Sequence, residues 1–172
     1  MPNRGDRVYV DTNAIIESHR VKCWKDLVSR FGLCTVEKCV EECATGNLAG
    51  AETPVDVTEL RSKITVESVS SNEIAQLNLK LSNQVILDPG EEHLIAKAIQ
   101  QKEAWFLCSP DKAAIRAVSL LNLAQRLISL EELAGECGLD ICKKAKVHYL
   151  KGWLKQQKTL IEFEILEKRS GK

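Results

Sequence analysis

Short apolar runs alternate with stretches of helical periodicity along the 172-residue chain. The apolar runs predict strands, and apolar residues spaced three and four positions apart predict helices. Strands are expected at 8–10, 33–36, 63–69, 104–108 and 126–130. Helices are expected at 13–19, 24–31, 36–45, 72–80, 89–101 and 111–123. Strands that alternate with helices are typical of a parallel sheet covered on both faces, so we predict an α/β fold.

The chain after residue 140 has a different pattern. Apolar residues continue at helical spacing, lysines crowd the first half of this part, and glutamates follow in the second. We therefore predict a domain at 1–140 and a C-terminal helical extension at 141–172. The one loose, polar connection of any length is expected at 46–56.

Composition excludes several classes of protein. Lys+Arg and Asp+Glu number 24 each, so no excess charge predicts a nucleic-acid or membrane partner, and any such partner must meet a local patch. No apolar stretch has the length of a signal peptide or membrane span, which favours a cytoplasmic protein without a membrane partner. The spacing Cys34, Cys39, Cys43 contains no Cys-x-x-Cys pair, and it is better explained by small buried side chains than by zinc.

Acidic residues lie close to the ends of the predicted strands. They are Asp11 after the first strand, Glu37, Glu41 and Glu42 after the second, Glu91 and Glu92 in the helix before 104–108, and Asp111 after that strand. Each could simply cap or begin a helix. Because ligands bind beyond the carboxyl ends of parallel strands, and clustered carboxylates repel unless a cation offsets them, a Mg²⁺-like site is the competing interpretation.

Three segments resemble the motifs of PIN-domain nucleases. Asp11-Thr12-Asn13 after a short strand resembles the opening motif of the family. The segment 90–98, GEEHLIAKA, is similar to the Gly-Glu helix of prokaryotic members, and 109–117, SPDKAAIRA, is similar to their Ser/Thr-x-Asp segment. Together with the acidic helix after the second strand, the resemblance covers roughly residues 6 to 130 in the order of the family. Pro110 and the extension beyond residue 140 depart from it.

The resemblance implies a three-layer α/β/α sandwich and a ribonuclease that depends on Mg²⁺ or Mn²⁺. It also implies which residues carry the metal and the catalysis: Asp11, one of Glu37, Glu41 and Glu42, one of Glu91 and Glu92, and Asp111, with Asn13 and Ser109 in support. Proteins of this kind are often the toxin of a toxin–antitoxin pair, so an antitoxin protein is an expected partner.

Two of these positions leave a choice between neighbours. In the helix from residue 89, the apolar positions centre on the direction of Glu91, which favours Glu91 over Glu92. In the helix after the second strand, neither Glu41 nor Glu42 lies on the apolar face. There the acid, small residue and glycine pattern of the family favours Glu42.

The expected function is therefore metal-dependent cleavage of phosphodiester bonds in single-stranded or structured RNA. The alternative is a non-catalytic PIN-like module that binds RNA or a protein. Within the extension, Lys151 and Lys155 are expected to contact phosphate, although a solvated lysine face is an equally simple interpretation. Its two apolar stripes exceed what one packing surface requires, which favours a homodimer.

Overall fold

A four-stranded sheet in which all neighbouring strands are parallel forms the centre of the protein. The computed structural model describes residues 1–45 and 55–170. The strands are β1 (Arg7–Val10), β2 (Gly32–Val36), β3 (Thr65–Glu67) and β4 (Trp105–Cys108). Their order is β3-β2-β1-β4, so the chain moves outward from β1 to β3 and then crosses to the other side of β1. The point at which the strand order reverses lies between β1 and β4, where open α/β sheets bind ligands.

Helices connect these strands and continue after the last one. They are α1 (Thr12–Arg20), α2 (Trp24–Arg30), α3 (Glu37–Thr45), α4 (Val57–Lys63), α5 (Ser71–Leu81), α6 (Pro89–Ala98), α7 (Lys112–Leu120), α8 (Leu130–Glu136) and α9 (Lys151–Arg169). In the described ranges, none of them is both long and apolar enough to cross a lipid bilayer.

Alternate side chains of each strand enter two different hydrophobic cores. On β1, Val8 and Val10 pack into the core that also holds residues of α2 and α8, whereas Tyr9 packs into the core that holds residues of α6 and α7. Because successive side chains of a strand point to opposite faces, the sheet is buried on both sides. The predicted α/β fold with a parallel sheet between two helical layers is confirmed at this level.

The neighbouring strands β1 and β4 end at the same height. Val10 pairs with Cys108 in the parallel register of β1 and β4, so the residues that follow each strand emerge side by side. The Asp11 N–H donates to the Cys108 carbonyl at 3.3 Å, which extends the pairing by one residue. This register brings Asp11 and Ser109 together beyond the sheet.

The predicted fifth strand at 126–130 is wrong. Only a single bridge joins Leu127 to Leu107 of β4, beside a short 3₁₀ turn at Ala124–Arg126. The extended chain stops there because Ser129 begins α8 with a capping box: its hydroxyl accepts the Glu132 N–H and the Glu132 carboxylate accepts the Ser129 N–H. These reciprocal bonds satisfy helix donors that a longer strand would leave unused.

The predicted strand at 63–69 is also too long. Its first predicted residue, Lys63, is the last residue of α4, and only Thr65–Glu67 pair with β2. Asp56 caps α4 by accepting the N–H groups of Thr58 and Glu59, a signal that the sequence interpretation did not use. Most of the loose connection predicted at 46–56, residues 46–54, lies outside the described residues.

The C-terminal part is not one helix from residue 141. Residues 141–150 form a non-helical strap with a 3₁₀ turn at Val147–Tyr149, and α9 begins at Lys151. The strap is held on α1, where the Lys146 N–H donates to Glu17 Oε1 at 2.8 Å and the Tyr149 hydroxyl donates to the Asn13 carbonyl at 3.3 Å. The first of these bonds favours the non-helical path because it occupies the Lys146 N–H, which a continuous helix would pair internally.

Candidate functional site

Asp11 begins the site at the end of β1. It caps α1, accepting the Ala14 N–H through Oδ1 at 2.6 Å, and it is only 4 % exposed. Asp11 therefore does cap a helix, as the simpler interpretation of this acid predicts. A cap on the protein surface would perform the same role without the cost of burying a carboxylate.

Ser109 and Asp111 extend the site from the end of β4. Ser109 is buried, its hydroxyl accepts the Asp111 N–H at 3.2 Å, and its interaction with the Asp11 carboxylate opposes the rise in the pKa of that group. Asp111 in turn caps α7 by accepting the Ala113 N–H at 2.6 Å. One serine thus fixes two acidic residues that belong to different strand ends.

Glu91 reaches the same place from the first turn of α6. It forms a capping box with Asp88, whose Oδ1 accepts the Glu91 N–H at 2.8 Å. Glu91 is 6 % exposed and its side chain is hydrogen-bonded to that of Asp111. Its neighbour Glu92 turns to the side and accepts a hydrogen bond from Asn78 at 2.8 Å.

The protonation of these acids reflects their crowding. Burial raises the pKa of Glu91 to about 9, and the charge of Asp111 and the hydrogen bond between the two side chains add to the increase. Burial raises the pKa of Asp11 to about 7, although hydrogen bonds from Ser109 and the Ala14 N–H oppose it. The negative charges of Asp111 and Asp88 contribute to the same increase, and the value of about 7 includes them.

Glu42 lies at the border of this group, on α3. Its Oε2 accepts a hydrogen bond from the Thr12 hydroxyl at 2.6 Å, and its carboxylate lies against the α-carbon of Gly90. Thr12 follows Asp11 and Gly90 precedes Glu91, so Glu42 touches the neighbours of both buried acids. Glu41 is exposed and pairs with Lys38, and Glu37 is exposed and pairs with Arg61.

This cluster lacks an ion pair with any lysine, arginine or histidine in the described part of the chain. Across the described ranges, none of the ion pairs involves Asp11, Glu42, Asp88, Glu91 or Asp111. All of these groups are carboxylates, the hard oxygen donors that Mg²⁺ and Mn²⁺ prefer. As placed, however, no three His, Cys, Asp or Glu side chains of the described residues form a group that could hold a metal ion. The donor chemistry fits a divalent cation, and binding one would require these carboxylates to turn towards each other.

The structure adds two residues that the sequence interpretation did not select. Thr12 is predicted only as part of a motif, and Asp88 is not among the predicted site residues. Their signals were present, because Thr12 directly follows Asp11 and Asp88 belongs to the same short acidic segment as Glu91. Asn13 was expected to support the site, but its carbonyl binds Tyr149, and its side chain makes no hydrogen bond to any described residue.

Lys151 and Lys155 line a groove of about 270 Å³ beside α8 and α9. The Lys151 N–H donates to Glu131 Oε2 at 2.7 Å, and Lys151 Nζ lies 3.8 Å from Glu132 Oε1. The groove also contains Leu127, which bridges to β4, the strand that carries Ser109 at its end. The lysines therefore flank the outer edge of the strand that leads into the acidic cluster.

Comparison with models of known protein families and with curated protein sequences finds no match for this chain.

Proposed function

We propose that the protein is a metal-dependent ribonuclease with a PIN-like fold, whose site is the acidic cluster between β1 and β4. The observation that carries this proposal is the burial of Asp11 and Glu91 beside Asp111, with no ion pair to any of the three from residues 1–45 or 55–170. A fold gains nothing in stability from such repulsion, so the arrangement is expected to serve a ligand with positive charge.

A bound Mg²⁺ or Mn²⁺ would polarise a phosphate oxygen and lower the pKa of a bound water. Asp11, Glu91 and Asp111 would hold it from three different elements, with Glu42 at the border. Ser109 would help to keep Asp11 charged, because its interaction with that carboxylate opposes the rise in the Asp11 pKa. Glu91 holds a proton in its hydrogen bond with Asp111, and a bound cation would displace that proton.

The substrate that we propose is RNA, in single-stranded or structured form. Lys151 and Lys155 would contact its phosphates in the groove beside β4, at a distance from the bond that is cleaved. A charge reversal of both, Lys151→Glu/Lys155→Glu, is expected to weaken RNA binding and to reduce its dependence on salt. Unchanged affinity and salt slope would show that these lysines are a solvated face.

The decisive experiment is cleavage of labelled RNA with Mg²⁺, Mn²⁺ or EDTA, with Asp11→Asn beside the wild type. Asparagine keeps the cap on α1 but removes the charge. We expect cleavage only with a metal, and a loss of about 100-fold or more in the variant, typical of removing a group that stabilises the transition state. The proposal fails if Asp11→Asn cleaves as fast as the wild type.

The alternative function is a non-catalytic PIN-like module that binds RNA or a protein. The carboxylates favour it in one respect, since no three of them form a metal-binding group as the described residues are placed. RNA binding that persists in EDTA, without cleavage under any metal, would support this alternative.

For partners, we propose a second copy of the chain, packed on α9. Leu160, Phe163 and Leu166 are exposed there, and closed two-fold dimers are the commonest oligomers. Phe163→Glu is expected to halve the solution mass. If an antitoxin protein exists, the same residues are its expected binding surface, and the mass of the isolated chain would then be that of a monomer.

A further inference from the structure

We propose that Thr12 and Gly90 are the residues that position Glu42 at the acidic cluster. The inference depends on the proposed function only in that Glu42 is one of the candidate metal ligands. It rests on two independent contacts with the same carboxylate, one from each side. Both contacts join parts of the chain that are far apart in sequence.

The first contact is the hydrogen bond from Thr12. Its hydroxyl has one proton and two acceptors in reach, Glu42 Oε2 at 2.6 Å and the Cys39 carbonyl at 3.3 Å. The shorter contact is the one to the carboxylate, and a hydrogen bond to a charged acceptor is the stronger kind. Thr12 is buried at the first position of α1, where its branched side chain has few rotamers, so the direction of the hydroxyl is fixed.

The second contact is between the Glu42 carboxylate and Gly90, which has no side chain. A Cβ at this position would lie 2.6 Å from Glu42 Oε2 and 2.7 Å from Glu42 Oε1. Both distances are too short for a carbon and an oxygen that are not bonded. Gly90 lies in the first turn of α6, which any residue could enter, and it is not at a positive φ angle. Space for Glu42 is therefore the reason for glycine that the structure provides.

Together these contacts hold Glu42 beside Asp11 and Glu91. Thr12 is the next residue after Asp11, and Gly90 is the residue before Glu91, so a movement of either backbone is transmitted to Glu42. Thr12 and Gly90 are positioning residues, because they act through Glu42 and touch no other acid of the cluster.

The experiment measures Mn²⁺ affinity by titration calorimetry in a double-mutant cycle. Thr12→Val keeps the shape and removes the hydroxyl, Thr12→Ser keeps the hydroxyl, and Gly90→Ala inserts the methyl group. Each is combined with Glu42→Gln. Thr12→Val and Gly90→Ala are expected to weaken binding about tenfold, the usual effect of losing an outer partner of a metal ligand. Thr12→Ser should restore most of the affinity, and the losses should nearly vanish in the Glu42→Gln chain.

Equal losses with and without Glu42→Gln would overturn the proposal, since Thr12 and Gly90 would then act through something else. A chain that binds no Mn²⁺ would contradict the proposed metal site, not the positioning of Glu42. The carboxyl ¹³C resonance of Glu42 decides in that case: it should shift in Thr12→Val and in Gly90→Ala, and an unchanged resonance in Thr12→Val overturns the proposal.

Discussion

Helix α1 carries a buried carboxylate at each end, and the two have opposite surroundings. Asp11 at its start is 4 % exposed and Glu17 near its end is 2 % exposed. Burial opposes the charge of Glu17, but a two-bond contact with Arg20 and the Lys146 N–H outweigh it and lower the pKa. Asp11 receives hydrogen bonds only from neutral groups, and its pKa is raised to about 7.

The difference separates a structural acid from a candidate functional one. Glu17 holds the strap at 141–150 on the domain, and the Arg20 guanidinium also donates to the Lys144 carbonyl at 2.6 Å. All of its interactions therefore serve the fold. Asp11 instead lies beside the negative charges of Asp111 and Asp88, and the raised pKa of Glu91 leaves that side chain protonated at neutral pH. Neither acid has a partner that favours its charge, and a cationic ligand would supply one.

The largest effect on stability is expected from Glu17→Gln. It removes the negative charge that accepts two hydrogen bonds from Arg20 and one from the Lys146 N–H, and neutralising one member of a buried pair typically costs several kcal/mol. Arg20 is 29 % exposed, so water compensates in part and we expect a loss of about 3 kcal/mol at pH 7. Because the Glu17 pKa is lowered from 4.5, this contribution is present above pH 4.5 and disappears as the pH falls below it.

Urea unfolding at pH 7 and pH 3 measures this change, with Glu103→Gln as the exposed control. A Glu17→Gln chain as stable as the wild type at pH 7 would show that Glu17 does not hold the strap.

Asp11→Asn is expected to change stability in the opposite direction. A raised carboxyl pKa means that the wild type loses stability as the pH rises from the ordinary value of 3.8 through about 7. In EDTA at pH 8 the variant should therefore be more stable, by about 2 kcal/mol, and the gain should shrink as the pH falls towards 4. Urea unfolding across this range tests it, and a destabilised variant at pH 8 would show that Asp11 is a structural acid like Glu17.

The sequence predicted which segments form the sheet better than it predicted where strands and helices begin and end. The apolar runs of β1 and β4 predicted both strands, whose residues are buried on both faces of the sheet, but the strand expected at 126–130 is wrong because Ser129 forms a helix-start signal with Glu132. Likewise, the apolar pattern after residue 140 contains no sign that Glu17, far away in sequence, holds the backbone of Lys146. Local patterns predict elements, whereas long-range hydrogen bonds decide where they end.

The site shows the same limit. Asp11 could be selected because it directly follows a strand, Asp111 because it lies just past one, and Glu91 because its helix has one apolar face. Thr12 could not be separated from any other helix-start residue, since its partner Glu42 lies on another helix.

A smaller effect is expected when Mn²⁺ is added. A cation must replace the proton of Glu91, whose pKa is about 9, and that of Asp11, so binding should release protons and strengthen as the pH rises from 6 to 9. At tenfold excess over Kd the gain in unfolding free energy is about 1.4 kcal/mol. Thermal unfolding of Glu17→Gln should show the same increase in Tm with Mn²⁺ as the wild type, and Asp11→Asn should show almost none. An equal increase in all three chains would place the metal elsewhere.

The smallest effect is expected from Glu37→Gln, which tests whether an arginine partner or burial distinguishes Glu17. Glu37 also contacts an arginine through two hydrogen bonds, to Arg61 at 3.0 and 2.7 Å, but both side chains are almost half exposed. Water and salt screen such pairs, so urea unfolding should give the same stability for this variant and the wild type.

Glu37 also begins the helix that carries Glu42, and it lies in an ion pair instead of the acidic cluster. RNA cleavage should therefore remain at the wild-type rate in Glu37→Gln and fall in Glu42→Gln. Loss of cleavage in both variants would indicate that the site extends to the start of α3. Loss in Glu37→Gln alone would indicate that Glu37, not Glu42, is the acid that this helix contributes.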